Sequence, residues 1–439
     1  MNLGILRLFR TQIFLLLSFQ IFSVHALSLK HEVYHLKGAE AGKTILVVGG
    51  IQGDEPGGFT AASLLVTNYK IKKGNVLVIP NLNFNSIVES SRGLYGDMNR
   101  KFNKIKLNDP DFSAVEEVKR LIRDDKVDLI LNLHDGSGFY REKHVDRNKN
   151  PNRWGQCIVI DQSYLDNSIF PDLEKIGTAV AESVNKKITN KEHQYRVRNT
   201  RTRAGNQEMQ KTLTYYAVNQ SKSAFGLEVS KSFPTHERVF FHLSLVEEFF
   251  QHADIKFERD FKLNSTSLAG IIGKNLDLTL YQRHIALDLD NVRRDIRYFP
   301  IKRDRELEFK STNPLLAVFE KNGHYKVKYG NRNVSRLHPQ FMEYDDSLTH
   351  VNFTADGSVV PVKIGDTVEV KKDFLVHKQD GYRVNVIGLV SNKKSEDELT
   401  VNRKSLIRRF SLDMKKQVYR VEFYKEKKFS GMILVKFVG

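Results

Sequence analysis

The sequence of 439 residues predicts an α/β domain with a mixed, largely parallel sheet covered by helices on both faces, followed by two small all-β domains. Up to about residue 253, short apolar runs alternate with segments whose apolar residues recur at helical spacing. Beyond that point, short strands separated by Asn, Gly and Asp turns predominate, and no further helix is expected. A chain of this length is also expected to form two or three domains.

Apolar or β-branched runs predict strands in the first part of the chain at 44–48, 75–80, 127–133, 156–160 and 224–229. Apolar periodicity predicts helices at 59–69, 113–125, 173–187 and 235–250. Thr235 is the expected N-cap of the last helix. In the second part, strands are predicted at 278–283, 315–320 and 325–329, and turns at Asp356-Gly357 and Asp380-Gly381. The predicted domains are 27–253, 254–343 and 344–439.

The first 26 residues have the three-part pattern of a secretory signal peptide. Arg7 and Arg10 precede an apolar stretch, and Val24 and Ala26 place small residues at the −3 and −1 positions of a cleavage site. An uncleaved anchor is the alternative, but polar residues interrupt the stretch and leave it short for a membrane span. We therefore expect an exported protein without stable membrane insertion after cleavage.

The chain is basic, with 69 Lys and Arg against 52 Asp and Glu and a formal net charge of +17. A basic exported protein could bind anionic lipid or an acidic cell-wall polymer, whereas export argues against nucleic acid as a partner. The charges are dispersed along the chain without a long basic block. A solvated basic surface without a binding role is an equally good explanation.

A glycine-rich segment from Gly49 to Gly58 offers an amide and a carboxylate where a strand ends and a helix begins. Ligands of open α/β sheets bind at such strand ends. The three-residue spacing of Gln52 and Glu55 lets both side chains converge on one ion, although the segment could equally be a simple turn. Asp54 is a rival ligand, but its expected role is that of a helix N-cap.

His134 offers a third ligand at the end of the strand predicted at 127–133, before a second glycine-rich turn. It should therefore lie on the same rim of the sheet as Gln52 and Glu55. Imidazole and carboxylate suit zinc, and a catalytic zinc ion has three protein ligands and one water. His134 alone would more often be a structural histidine, but its combination with the Gln52–Glu55 turn favours a metal site.

Glu228 is a single carboxylate within an apolar strand, where a charge is costly unless it is used or paired. It is therefore either the base that a hydrolase needs or half of a buried ion pair. Arg92 and Arg100 lie in the loop after the second predicted strand, with Asn99 beside the second arginine. Arginine forks bind carboxylates, so this loop could serve a substrate carbonyl and a terminal carboxylate.

In order and spacing, these residues resemble the zinc metallocarboxypeptidases of the carboxypeptidase A superfamily over about residues 40–250. That family has His-x-x-Glu after its first strand, then Arg and Asn-Arg in a loop, a distant His, and a late strand Glu. The runs Gly-Gly-Ile-Gln-Gly-Asp-Glu-Pro-Gly-Gly, Gly-Leu-Tyr-Gly-Asp-Met-Asn-Arg-Lys-Phe and Leu-His-Asp-Gly-Ser-Gly resemble one branch in particular. That branch comprises the periplasmic cell-shape D,L-carboxypeptidases of helical Gram-negative bacteria, which have a Gln-containing zinc site and two β domains.

The resemblance implies one Zn²⁺ ion held by Gln52, Glu55 and His134, with Glu228 as general base and Arg92 polarising the scissile carbonyl. Gln52 replaces the family's His, and an amide oxygen should bind zinc more weakly than a nitrogen. The resemblance implies three substrate-binding residues, Arg92, Asn99 and Arg100. Beyond that motif, Trp154 could form a wall of the pocket, and Thr214, which precedes the strand that carries Glu228, could contact the diaminopimelate end. Core packing is an equally good explanation for Trp154.

The implied reaction trims peptidoglycan (muramyl) tripeptide stems to dipeptides in the periplasm, releasing meso-diaminopimelate and setting cell shape. Cell-shape proteins are possible partners through the β domains. Two alternatives are a peptidoglycan-binding protein with a degenerate metal site and an N-acyl amino-acid deacylase. The complete set of Glu228, Arg92 and Asn99-Arg100 argues against decay of the site, and the β domains argue against the deacylase.

Overall fold

The computed structural model describes residues 29–303 and 307–438. The signal peptide predicted at residues 1–26 lies outside the described residues. None of the described helices is both long and apolar enough to cross a membrane. Helices and strands alternate up to residue 271, and strands alone, with a few single helical turns, follow from residue 277.

The first part of the chain contributes these strands: β1 (Tyr34–Lys37), β2 (Glu40–Val48), β3 (Tyr69–Ile79), β4 (Leu129–Gly136), β5 (Phe139–Tyr140), β6 (Lys149–Asn150), β7 (Cys157–Ile160), β8 (Arg196–Asn199), β9 (Ser223–Ser230) and β10 (Lys256–Arg259). Its helices are α1 (Pro56–Asn68), α2 (Phe84–Val88), α3 (Phe112–Arg123), α4 (Leu173–Asn185), α5 (Leu213–Asn219), α6 (Thr235–His252) and α7 (Ser265–Ile271).

An eight-stranded sheet forms the centre of this part, with the order β1-β3-β2-β4-β9-β7-β8 and with β10 also paired to β3. Strands β3, β2, β4 and β9 are mutually parallel, whereas β1, β10 and β7 run antiparallel to their partners β3 and β9. The predicted mixed, largely parallel sheet is therefore confirmed. Because β2, β4 and β9 are adjacent and parallel, their carboxyl ends meet at one edge of the sheet.

Helices cover both faces of the sheet, which explains why its central strands are almost continuously apolar. Every residue of β4 is buried. One face packs against α1, α4 and α6, with Phe59, Val180 and Phe249 in its core. The other face packs against α3 and α5, with Val118 and Leu213 in its core. A rigid, fully covered sheet therefore holds the strand ends that carry the candidate site.

Several boundaries differ from the sequence predictions. Tyr69, predicted as the end of a helix, begins β3, and Pro234 rather than Thr235 is the N-cap of α6. Helix α7 lies in a region where no helix was expected. Its seven residues bury only Leu268, which is too short a pattern to show helical periodicity, and the Asn264 side chain caps it by accepting a hydrogen bond from Ser267 N.

The second part of the chain contributes these strands: β11 (Asp277–Leu280), β12 (Ile285–Asp288), β13 (Asp295–Lys302), β14 (Phe309–Ser311), β15 (Leu316–Lys321), β16 (His324–Tyr329), β17 (Arg332–Met342), β18 (His350–Ala355), β19 (Ser358–Lys363), β20 (Thr367–Val370), β21 (Asp373–Val376), β22 (Arg383–Val386), β23 (Val401–Asn402), β24 (Val418–Lys425) and β25 (Lys428–Phe437). They form small sheets ordered β12-β11-β14, β13-β17-β16-β15, β19-β18-β21-β23 and β20-β25-β24-β22.

Turn chemistry explains both an agreement and a difference in this part. Asp356 and Gly357 join β18 to β19 with φ values of 49° and 83°, as a two-residue hairpin turn requires. The strand predicted at 278–283 ends at Leu280 instead. The next three residues all have positive φ, and they are Tyr281, Gln282 and Arg283.

The β strands fall into two packing units. Lys321 pairs with Glu89 beside α2 at 2.8 Å. Apolar residues up to Leu337 share one continuous core with the large sheet, and that core also includes five residues from the end of the chain: Leu412, Tyr424, Phe429, Met432 and Leu434. Strand β10 also extends the large sheet beyond residue 253. Most of the later strands, by contrast, enclose a separate core that runs from Leu348 to Phe437. The first β unit therefore supports the large sheet directly, and the last one has a core of its own.

Candidate active site

Three donor atoms converge at the carboxyl ends of β2 and β4. His134 Nδ1 lies 3.1 Å from Gln52 Oε1 and 3.0 Å from Glu55 Oε2. All three residues are at least 95% buried. Gln52 and Glu55 occupy the turn between β2 and α1, and His134 is part of β4, so the parallel pairing of β2 and β4 brings them together.

The amide of Gln52 is held in a single orientation by Asp97. Gln52 Nε2 donates to Asp97 Oδ1 at 2.8 Å, which directs the Gln52 oxygen towards His134. Burial alone would raise the pKa of Asp97, but the Gln52 amide and the Arg92 and Arg100 guanidinium groups outweigh it, and the pKa is lowered. A charged carboxylate therefore fixes the one unusual donor of the set.

The donor set fits a metal ion. Zinc with ligands about 2.1 Å away in a tetrahedron has its donor atoms about 3.4 Å apart, so the observed separations require movements of only a few tenths of an ångström. The charges of the donor set also suit a divalent cation, since Glu55 supplies one carboxylate and Gln52 and His134 supply neutral donor atoms. No group of three or more His, Cys, Asp or Glu side chains in the described ranges is arranged to hold a metal, because the third donor here is an amide.

Behind His134, a buried network anchors the turn that it begins. Asp135 is fully buried, and its two oxygens accept from His242 Nε2 at 3.0 Å and from Arg238 Nη1 and Gly57 N at 2.8 Å. Burial raises the pKa of Asp135, but His242 and Arg238 more than offset it, and the pKa lies below its usual value. The network joins β4 to α1 and α6 and so fixes the backbone that carries His134.

Glu228 lies beside the convergent donors on β9, where its Cα is the pairing partner of His134. The carboxylate retains some exposure, and Gly136 leaves room for it, since a Cβ there would lie 2.7 Å from Glu228 Oε2. Burial raises the pKa of Glu228 to about 7, with His134 opposing and Glu55 adding to the rise. No ion pair of Glu228 is found among the described residues. The alternative that Glu228 is half of a buried ion pair is therefore not supported.

Arg92 lies at the edge of the donor set formed by Gln52, Glu55 and His134. Its guanidinium lies 3.0 Å from Asp97 Oδ2 and 3.4 Å from Glu55 Oε1, and half of the side chain is exposed. Asp97 therefore orients both the Gln52 amide and the Arg92 guanidinium. Arg92 presents a fixed positive charge to solvent at the edge of the donor set.

Asn99 and Arg100 occupy the short helical turn Met98–Arg100 beside His134. Asn99 is buried, with Nδ2 3.4 Å from His134 Nε2 and with Oδ1 accepting from Leu213 N at 3.0 Å. In this structure its amide therefore supports His134. Arg100 is more open, with a guanidinium held by the Asn99 carbonyl at 3.2 Å and by Glu208 at 3.5 Å.

Trp154 and Thr214 lie farther from the donors. Trp154 is partly buried, and the Arg198 guanidinium stacks 3.6 Å above its ring. Its backbone adjoins Gly136, since a Cβ there would lie 2.6 Å from the Trp154 carbonyl carbon and 2.7 Å from Glu228 Oε2. Thr214 is buried, and its hydroxyl lies 3.2 Å from the Thr212 hydroxyl, next to the carboxylate of Asp161.

Sequence reasoning missed several supporting residues at this site, Asp97, Lys231 and His242 among them, and assigned one residue wrongly. Asp97, Lys231 and His242 have no motif of their own, although Asp97 stands inside the loop already singled out. Lys231 Nζ lies 2.9 Å from Asp54 and 3.7 Å from Glu55 Oε1. Asp54 is therefore paired with Lys231 and is not the N-cap of α1, a position held by Glu55 without a side-chain capping bond.

Comparison with protein families gives two matches. Residues 11–273 match the catalytic domain of a carboxypeptidase controlling helical cell shape, and residues 344–438 match the C-terminal domain of a metallo-carboxypeptidase. A search of curated proteins found no significant match.

Solved structures of the cell shape determinant protein Csd4 from Helicobacter pylori match almost the whole chain. The apo form is 40% identical over 93% of this chain and 100% of that chain, with a TM-score of 0.90. A tripeptide-bound form has the same identity and coverage, with a TM-score of 0.89. The form bound to mDAP, described as a D,L-carboxypeptidase, is 41% identical over 92% and 100% of the two chains, with a TM-score of 0.89. The chain belongs to the family of metallo-carboxypeptidases that control helical cell shape.

Proposed function

We propose that this carboxypeptidase is a periplasmic zinc D,L-carboxypeptidase that removes the terminal meso-diaminopimelate from peptidoglycan tripeptide stems. The observation that carries the proposal is the convergence of Gln52 Oε1, Glu55 Oε2 and His134 Nδ1 at one edge of the sheet, with the carboxylate of Glu228 beside them. The tripeptide and mDAP complexes of the Helicobacter relative support this class of substrate.

Gln52, Glu55 and His134 are the residues that would hold one zinc ion. When bound, the ion supplies Lewis-acid polarisation of the scissile carbonyl and activation of the attacking water. Gln52 is an acceptable ligand here because Asp97 orients its amide before any metal arrives, which limits the entropy lost on binding.

Glu228 would take the proton from the attacking water on its carboxylate and return it to the leaving amine. Its position supports this role, since it adjoins His134 across the strand pair and has no competing ion pair among the described residues. A base must lie within hydrogen-bond reach of the proton that it removes, and the space left by Gly136 provides that access.

Arg92 would bind the carbonyl oxygen as negative charge develops on it. Half of its side chain is exposed, and Asp97 and Glu55 hold it at the edge of the donor set, so little reorganisation is needed when substrate arrives. We assign the terminal carboxylate of the substrate to Arg100, with Asn99 as its neighbour. Trp154 and Thr214 stay as candidates for contacts with the rest of the released residue.

The proposal is tested with purified mature protein and muramyl tripeptide. We expect release of free diaminopimelate, loss of release with a chelator, and recovery when zinc is added back. A muramyl dipeptide control should release nothing. Failure to release diaminopimelate with zinc present would overturn the proposal, and hydrolysis of an N-acyl amino acid under the same conditions would point to a deacylase instead.

A further inference from the structure

A cavity lined by arginines lies between the two β units, far along the chain from the donor residues. It has a volume of about 420 Å³, within the range of small-ligand sites. One wall comes from the start of β13, and the other from the segment before β24 together with β24 itself. We call it the arginine cavity, after four of its lining residues: Arg293, Arg297, Arg409 and Arg420.

The walls of the arginine cavity are fixed to one another by backbone hydrogen bonds. Arg293 N donates to Leu412 O at 2.8 Å, and Met414 N donates to Asn291 O at 2.8 Å. The Arg293 side chain donates to Ser411 Oγ at 3.1 Å and to Arg408 O at 2.9 Å. The space is therefore preformed by the fold.

Few acids balance these arginines. Among the described residues, Arg293, Arg297 and Arg409 have no ion-pair partner. Asp295, the acid that lines the cavity, is already paired with Arg336 and His338 at 2.8 Å each. Like charges gathered in one recess repel each other unless an anion joins them.

Arg420 supplies an independent sign of a ligand. It is 97% buried and pairs with Glu422 at 3.0 Å, but its Nε has no hydrogen-bond partner among the described residues. A buried guanidinium donor left unsatisfied is costly. Its terminal nitrogens donate to the carbonyls of Tyr298 and Arg297 at 3.2 and 3.3 Å, so the group is held firmly at the cavity.

The same carbonyls belong to an irregularity in β13. Its pairing with β17 shifts register between Ile296 and Phe299, and Tyr298 has a φ of 52°, which is unusual for a bulky side chain. The bulge leaves Tyr298 65% exposed at the cavity. An aromatic ring beside several guanidinium groups suits a ligand that is anionic at one end and apolar along its length.

We propose that the arginine cavity binds a carboxylate of an acidic peptide, and that its natural ligand is the carboxylate-rich stem peptide of peptidoglycan. The identity of the ligand rests on the proposed function, because the polymer that the active site trims would then also be held at a second point. Guanidinium forks match carboxylates bidentately, and a recessed site suits a free peptide end better than the plane of a membrane.

The test measures co-sedimentation of the full-length protein with insoluble peptidoglycan, with chelator present to prevent turnover. The double variant Arg297→Ala/Arg409→Ala removes two exposed arginines, and Lys393→Ala/Lys394→Ala removes the same charge outside the cavity. We expect the arginine variant to bind about tenfold more weakly than the wild type. The lysine variant should bind as the wild type does. Peptidoglycan whose carboxylates have been amidated should bind neither variant nor wild type tightly.

Equal binding by the two variants would overturn the inference, as would undiminished binding of amidated peptidoglycan. Binding of the wild type to phosphatidylglycerol vesicles but not to peptidoglycan would assign the cavity to anionic lipid instead and would also overturn it. The proposed function is tested separately, because it depends on the release of diaminopimelate from soluble tripeptide by the wild-type protein.

Discussion

The candidate active site and the arginine cavity both contain several charged groups, but their charges are balanced in opposite ways. At the active site, nearly every charge has a partner of opposite sign, as Asp97 has Arg92, Asp135 has Arg238, and Asp54 has Lys231. The arginine cavity, by contrast, is lined by three arginines that have no ion-pair partner among the described residues, Arg293, Arg297 and Arg409. The charges of the first arrangement hold its side chains in place before a ligand arrives. The charges of the second are balanced only when an anionic ligand binds.

The two regions should therefore respond differently to substitution. Removing a charge from the active-site network breaks an existing set of contacts and should affect catalysis or stability. Removing the charge of Arg297 or Arg409, the two exposed arginines of the cavity, relieves repulsion and should affect only binding. Glu228 is the exception at the candidate active site, since its carboxylate has no ion-pair partner in the described part of the chain, and we expect the largest effect there.

Glu228→Gln should lower the turnover of muramyl tripeptide by about 10²- to 10⁴-fold, the usual contribution of a general base. The amide has the same shape but cannot take a proton. Zinc content and thermal stability should match those of the wild type, because no ion pair is lost. Turnover within tenfold of the wild type would rule out Glu228 as the base.

Asp135→Asn should destabilise the catalytic region by about 3 kcal/mol, since it removes the buried counter-charge of Arg238 and one of the two oxygens that accept from His242, Arg238 and Gly57. The single tryptophan, Trp154, lies in this region, so its fluorescence in a urea titration reports the region directly. Asp166→Asn is the matched control, an exposed acid in the same region, and should leave the midpoint unchanged. An unchanged midpoint for Asp135→Asn would show that the network is not a stabilising one.

The contrast between Glu228 and Asp135 also shows what the sequence could predict. Gln52, Glu55, His134 and Glu228 could be found because each stands at a strand end or inside an apolar run, where a polar residue is conspicuous. The alternation of strands and helices then favours a parallel direction for β2, β4 and β9, although it does not predict their order in the sheet. Local pattern and strand direction together were enough to predict that three donors would converge.

The supporting residues could not be found in this way. Asp97 acts through a contact with Gln52 that spans 45 positions, and Asp135 acts through one with His242 that spans 107. Neither contact leaves a local pattern. Helix α7 and strand β10 were missed because they are short, and their packing against the rest of the fold outweighs weak local signals. The arginine cavity could not be predicted from the sequence because its two walls are more than 100 residues apart along the chain.

Gln52→His should bind zinc about tenfold more tightly while activity is kept, because zinc prefers nitrogen to an amide oxygen. The measurement is zinc affinity by competition with a chromogenic chelator. Asp97→Asn is the companion variant: it frees the Gln52 amide to rotate and should weaken zinc binding. Complete loss of metal from Gln52→His would argue that Gln52 is not a ligand.

The smallest effect should come from the arginine cavity in the absence of ligand. Arg297→Ala/Arg409→Ala should change the free energy of unfolding by no more than about 0.5 kcal/mol, since both residues are exposed and have no ion pair among the described residues. Lower repulsion between guanidinium groups favours a slight gain, which should shrink as salt is raised because screening weakens that repulsion. Calorimetry at low and high salt measures both quantities. A loss of several kcal/mol would show that these arginines support the fold, and the cavity would then resemble the active site in having its charges already satisfied.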